Sequence, residues 1–128
     1  MRRLLLDTHT FLWWLADSDK LGSSARTLII DPKNEIYVSA ASAWEISIKK
    51  SLDKLQAPDG LDNIIEEEGF ERLSVSFFHG EQAGSLPSIH RDPFDRMLVT
   101  QAQAEGLEIL TSNSFIPRYG VKVINASK

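Results

Sequence analysis

Apolar positions along the chain come in two alternating rhythms. Five short runs read as strands: residues 4–6, 36–39, 70–75, 108–111 and 121–124. The first, Leu4-Leu5-Leu6, contains no polar position, the mark of a strand buried on both faces of a parallel sheet. Between the strands the apolar residues recur at helical spacing. Residues 8–16 predict a helix carrying Phe11, Leu12, Trp14 and Leu15. A second helix, introduced by Leu21-Gly22-Ser23-Ser24, runs through Ile30 to a stop at Asp31-Pro32. Helices over 41–52, 59–68 (closed by Gly69) and 78–84 follow. The best-marked helix covers 93–105, with Asp92 as its cap, Pro93 at its first position and Gly106 at its exit. Strands alternating with helices predict a three-layer α/β/α fold around a central, mainly parallel sheet of four to five strands. No linker or repeat divides residues 1–128 into more than one domain.

A chain of 128 residues, 42% apolar and 25% charged, has the size and make-up of one globular domain. The absence of cysteine excludes a disulfide framework and a thiolate metal site, and it fits a reducing cytoplasm. No apolar stretch nears the roughly 20 residues of a membrane helix. Met1-Arg2-Arg3-Leu4-Leu5-Leu6 meets Asp7 and His9 too soon to serve as a signal peptide. A cytoplasmic protein with no membrane partner is expected. The net charge of −4 argues against a protein that coats nucleic acid. A nuclease stays open, because an acidic metal site carries negative charge that bound cations neutralise. Lys49, Lys50, Lys54, Arg91, Arg96 and Arg118 could supply local positive surface to such a site, and each also reads as an ordinary solvated cation.

Four acids stand where helices begin. Asp7 follows the first strand, Glu45 lies just inside the helix after the second, and Asp92 and Asp95 open the helix at 93–105. In an open α/β sheet ligands bind outside the carboxyl ends of the strands. Carboxylates gathered there repel one another unless a cation joins them. Each acid also has a structural reading. Asp7 and Asp92 can cap their helices, Ser42-Ala43-Trp44-Glu45 has the form of a capping box, and Asp95 in a first turn favours the macrodipole. Two placements favour a shared pocket instead. Asp95 flanks an inward stripe of Phe94, Met97, Leu98, Gln101 and Ala102, and Glu45 flanks Trp44, Ile48, Leu52 and Leu55. Hard oxygen ligands suit Mg²⁺ or Mn²⁺, which bind phosphate oxygens and acidify a bound water. The pattern points to metal-dependent phosphate chemistry.

Three segments carry a family likeness: Leu-Leu-Asp-Thr-His at 5–9, Ser-Ala-Trp-Glu-Ile-Ser-Ile-Lys at 42–49 and His-Arg-Asp-Pro-Phe-Asp-Arg-Met-Leu at 90–98. In this order and separation they resemble a PIN domain, and among PIN domains the VapC-type ribonucleases of bacterial toxin–antitoxin pairs. The likeness runs on through Leu110-Thr111-Ser112-Asn113 and Tyr119-Gly120-Val121. It implies a Mg²⁺- or Mn²⁺-dependent endoribonuclease that acts on RNA. It also implies a homodimer and a cognate antitoxin whose C-terminal segment covers the active-site groove. Carried over position by position, Asp7, Glu45 and Asp95 are the catalytic and metal-holding acids, and Asp92 is the additional acid. Where the family often has a fourth acid after the fourth strand, this chain has Asn113, whose amide lacks that charge; this counts against a second metal position and leaves a one-metal site through Asp7, Glu45 and Asp95. Thr8 and Thr111 remain as auxiliary hydroxyls.

Asn113 keeps a rival reading alive, a catalytically silent PIN-like module that binds RNA or a protein partner. A metal-dependent phosphatase or DNA nuclease would use the same acids. Other motifs fail. His90-Arg91-Asp92 resembles a kinase catalytic loop, but the chain has no glycine-rich loop and is too short. In Asp7-Thr8-His9-Thr10 a histidine stands where a phosphatase nucleophile motif needs a second Asp. His9, His79 and His90 lack zinc spacing and read as isolated histidines. Trp13, Trp14 and Trp44 could stack on bases, but helical aromatics more often belong to a core or interface.

Overall fold

Leu4, Leu5 and Leu6 are each 0% exposed, and the fold is built outward from them. The computed structural model describes all residues from Met1 to Lys128. β1 (Arg3–Leu6) lies at the centre of a sheet completed by β2 (Glu35–Ser39), β3 (Glu71–Leu73), β4 (Glu108–Thr111) and β5 (Val123–Asn125). Every pairing is parallel and the order is β3-β2-β1-β4-β5. Successive side chains of a strand point to opposite faces. Leu4 and Leu6 therefore join Ile36, Val38 and Leu110 in one core, while Leu5 joins Ile109 in another.

Six helices cover the two faces. α1 (Thr8–Leu15), α2 (Ser23–Ile30), α3 (Ala40–Ser51) and α4 (Leu61–Glu68) supply Phe11, Ala25, Ile29, Ile46 and Ile65 to the first core. α6 (Pro93–Glu105) supplies Leu98, Val99 and Ala102 to the second, and α5 (Phe77–Gly84) packs on α6. The expected three-layer α/β/α architecture is the one observed, with all five strands parallel. No helix is long and apolar enough to cross a membrane.

Topology places the site. The chain starts at the centre, lays β2 and β3 to one side, then crosses back to lay β4 and β5 on the other. The order reverses between β1 and β4, and their carboxyl ends border the crevice where open α/β sheets bind ligands. Asp7 and Thr111 stand at those two ends.

Several expected boundaries move for local reasons. α3 starts at Ala40 because Ser39, the last residue of β2, caps it by accepting from the Ala41 N–H at 3.0 Å. Ser42-Ala43-Trp44-Glu45 is therefore no capping box; Ser42 is already buried inside the helix. The stripe expected beside Glu45 is also rotated, since Trp44 and Leu52 are 64% and 56% exposed. α4 begins at Leu61 because Gly60 turns left-handed (φ 69°), and Asp59 instead pairs with Lys50 Nζ at 2.5 Å. The third strand shrinks to three residues and the fifth starts at Val123. A 3₁₀ turn at Ile116–Tyr119, not anticipated, precedes the fifth.

Arg96 holds the segment between α5 and α6. Its guanidinium donates to the carbonyls of Pro87 (2.9 Å) and His90 (3.2 Å) through Nη1, and to those of Ala83 (2.9 Å) and Leu86 (3.1 Å) through Nη2. It is a structural fork rather than free positive surface near the site. Arg96→Met is expected to lower stability by on the order of 2 kcal/mol in urea titrations, because charge-assisted bonds to these carbonyls are lost. Arg96→Lys should recover little of this, since one ammonium cannot span both carbonyl pairs. Full stability in Arg96→Lys would mean that charge alone suffices.

Candidate active site

The carboxyl end of β1 passes directly into α1, and Asp7 is the joint. Its Oδ1 accepts from the Thr10 N–H at 2.8 Å, capping the helix. Its Oδ2 accepts from the Thr111 hydroxyl at the end of β4. The Thr10 hydroxyl in turn donates to the Leu110 carbonyl at 2.9 Å. These bonds fasten the two central strands and α1 together around a carboxylate that is 4% exposed.

Glu45 comes from the second turn of α3 and is equally buried. Oε1 accepts from the Thr8 hydroxyl at 2.7 Å, and Oε2 meets Lys49 Nζ at 2.7 Å, one helical turn on. A hydroxyl has one proton. With that proton given to Glu45, the 2.9 Å contact between Thr8 and Ser42 is donated by Ser42. Thr8 thus links the first turn of α1 to α3 and fixes the Glu45 rotamer.

The third group comes from α6. Asp92 caps it, with Oδ1 accepting from the N–H groups of Phe94 (2.8 Å) and Asp95 (3.1 Å). Asp95 projects from the first turn, and its Oδ2 receives His90 Nε2 at 3.1 Å and Asn113 Nδ2 at 3.0 Å. Neither Asp92 Oδ2 nor Asp95 Oδ1 receives a donor from the protein. Asn113 uses its whole side chain: Oδ1 accepts from the Phe115 N–H at 2.9 Å while the NH₂ serves Asp95.

Burial first, then the charges of Asp92 and Asp7, push the Asp95 carboxyl up to about 6; Glu45 adds to this and the His90 bond opposes it. The four acids therefore feel one another across α1, α3 and α6. Lys49 responds in the opposite sense. Its hydrogen bond to Glu45 holds its ammonium above the usual range, with Asp92 and Asp95 contributing. All four acids supply hard oxygen donors, two of their oxygens lack protein partners, and the charge of one lysine does not balance them. That donor set fits a hard divalent cation.

Of the residues singled out from sequence, Asn113 and Asp92 stand against Asp95, Thr111 against Asp7 and Thr8 against Glu45; Asp7 and Glu45 reach Asp95 through their charge rather than through one compact group of ligand atoms. His90, set aside as an isolated histidine, belongs with them. Ligand atoms of His90, Asp92 and Asp95 lie within 4.8 Å of one another. Its ring is stacked on Phe115 (4.5 Å between centroids, 4° between planes), with the Arg118 guanidinium 5.7 Å from the same Phe115 ring. The signal for His90 was its spacing to Asp92 and Asp95; its anchor, Phe115, is distant in the chain. His79 is indeed structural, exchanging capping bonds with Ser76.

A family model for the PIN domain matches residues 4–122. Ribonuclease VapC22 of Mycobacterium tuberculosis is 26% identical over 116 residues, which is 88% of this chain and 88% of that one. Among solved structures, VapBC2 from Rickettsia felis, bound to a DNA fragment from its promoter, is similar with a TM-score of 0.71 at 20% identity, covering 96% of this chain and 98% of that one. DNA-bound VapBC from Salmonella typhimurium is similar with a TM-score of 0.67 at 20% identity, covering 97% and 98%. At such identities the structural likeness speaks for the fold, and the family match speaks for nearly the whole sequence. The chain belongs to the PIN domain family.

Proposed function

We propose that this single-domain chain is a metal-dependent endoribonuclease, the toxin of a toxin–antitoxin pair acting in the cytoplasm. The observation that supports the reading is that Asp92, Asp7 and Glu45 all lie near enough for their charges to act on Asp95, beside the point where strand order reverses. Asp7, Glu45 and Asp95 would hold Mg²⁺ or Mn²⁺, which when bound polarises a scissile phosphodiester and acidifies a water.

The remaining work falls to residues already in position. The Thr10 N–H and Thr111 hydroxyl hold Asp7, and Thr8 and Lys49 hold Glu45, so neither carboxylate reorganises when substrate arrives. Asp92, with one oxygen free of protein donors, orients the attacking water or accepts its proton. Lys49 sets an ammonium beside the acids, where charge develops on the phosphate. RNA is the substrate this reading favours because the relative VapC22 is named a ribonuclease. A cognate antitoxin is the partner it favours because the structural neighbours include VapBC assemblies. For the homodimer, Phe77 and Phe78 at the start of α5, 88% and 56% exposed, offer the apolar surface. A catalytically silent module remains the second reading, favoured by Asn113 donating to Asp95 where the resemblance expects an acid.

Purified protein incubated with mixed cellular RNA and Mg²⁺ or Mn²⁺ should cut it. EDTA, Asp7→Asn and Asp95→Asn should each abolish cutting, with losses on the order of a hundredfold or more for the variants. Protein free of antitoxin that cuts nothing with either metal would establish the silent module. Binding is read separately: Mn²⁺ should raise the melting temperature, and Asp7→Asn should remove the shift.

Asp95 also imposes a pH dependence on the metal-free protein. Its carboxyl keeps a proton up to about pH 6 when folded, against 3.8 as the reference value. Between those values the native state binds the extra proton. This contribution to stability is full below about pH 4 and disappears as pH rises through 6. The loss is on the order of 2 kcal/mol. Asp95→Asn should therefore raise the metal-free melting temperature clearly at pH 7 and hardly at pH 4. Equal shifts at both pH values would show that the buried charge of Asp95 is not the cause.

A further inference from the structure

The two helices that carry Glu45, Asp92 and Asp95 also wall a second feature. Between α3 and α6, closed by Val75 and the end of α5, lies a largely apolar cavity of about 540 Å³, within the range of small-molecule sites. Trp44 and Arg91 line it. None of the acids lines the cavity itself, but its rim at Trp44 and Arg91 lies one residue along the chain from Glu45 and Asp92.

Its lining has a definite chemistry. Trp44 is 64% exposed, although large aromatics are mostly buried. It rests edge-to-face on Phe94 (5.3 Å, 74°). Arg91 is exposed and makes no ion pair or hydrogen bond, whereas Arg96 in the same wall is fully engaged by backbone carbonyls. An aromatic platform with a free guanidinium at its edge matches a nucleotide, whose base has a π face and whose backbone is anionic. A hydrophobic peptide side chain would suit the apolar walls, but it would leave the guanidinium without a counter-charge.

We infer that this cavity is a nucleobase subsite: a base next to the scissile phosphate stacks on Trp44 while Arg91 pairs with the adjoining phosphate. The inference rests on the ribonuclease reading and deepens it. A base can enter only if it is unpaired and unstacked, so cutting is confined to single-stranded or looped RNA. Trp44 and Arg91 are then specificity-determining residues outside the acidic centre.

The test uses the Asp7→Asn protein, which should not cut, and measures affinity for a short single-stranded oligoribonucleotide and for the same sugar–phosphate chain lacking bases. Trp44→Ala should weaken binding of the base-bearing strand on the order of tenfold and leave the base-free strand unchanged. Trp44→Phe should restore most of the loss, and Arg91→Ala should weaken both strands. In the parent background Trp44→Ala should raise KM far more than it lowers kcat, with the Mn²⁺-induced rise in melting temperature intact. Unchanged affinity in Trp44→Ala, or equal losses for both strands, overturns the subsite. If the parent still cuts RNA in that case, the ribonuclease reading survives alone. If Trp44→Ala keeps full RNA affinity but loses its antitoxin, the cavity belongs to a protein partner and the inference fails. A parent that neither binds nor cuts RNA overturns both readings together.

Discussion

The hydrogen bond from Thr111 to Asp7 is the contact on which the rest of the site depends. It closes the gap between β1 and β4 at the point where the sheet changes direction, and it does so with a buried carboxylate. Burying such a group is costly unless its oxygens are satisfied. Here the Thr10 N–H and the Thr111 hydroxyl satisfy one oxygen each. Because Thr10 also binds the Leu110 carbonyl, α1 cannot rotate without disturbing the same strand end. The position of Thr8, and through it Glu45, follows from that fixed helix start.

Capping and catalysis need not compete for the same acid. An ionised carboxylate offers about four lone-pair sites, and a cap occupies one or two. Asp92 shows the division plainly: Oδ1 takes the two backbone N–H groups, while Oδ2 receives nothing from the protein. Helix starts at a sheet's carboxyl edge collect acids for local reasons and leave part of each carboxylate available. Asp95, buried and facing the charges of Asp92 and Asp7, has its carboxyl pushed up to about 6. A bound cation would relieve repulsion that the metal-free fold has to tolerate.

Much of this was legible in the chain, and the failures have identifiable causes. Leu4-Leu5-Leu6 was readable because unbroken apolarity has few other meanings, and Asp92-Pro93 with Gly106 because caps are local chemistry. Ser42 misled because a capping-box pattern can occur inside a helix already capped three residues earlier by Ser39. Trp44 misled because periodicity records which residues share a face, not which face meets the core. His90 carries a signal in its spacing to Asp92 and Asp95, but that spacing does not fix its ring. It reaches Asp95 because Phe115 and Tyr119, on a turn the pattern did not reveal, fix its ring and its backbone. Long-range positioning of this kind leaves no periodic trace.

Asn113 brings these strands of argument together. An aspartate there could not donate to Asp95 Oδ2; it would add a further negative charge beside a carboxyl already held near 6. The amide instead gives Asp95 a proton donor with one end and accepts from the Phe115 N–H with the other. Through that second bond it fixes the turn that carries the Phe115 ring, and hence the stack that holds His90 on the same Asp95 oxygen. Two donors thus converge on Oδ2 and leave Oδ1 free of protein partners. The lost charge weakens the case for a second cation. In exchange, the remaining acids are held in a defined arrangement before any cation arrives, the preorganisation that a cation site built from them would require.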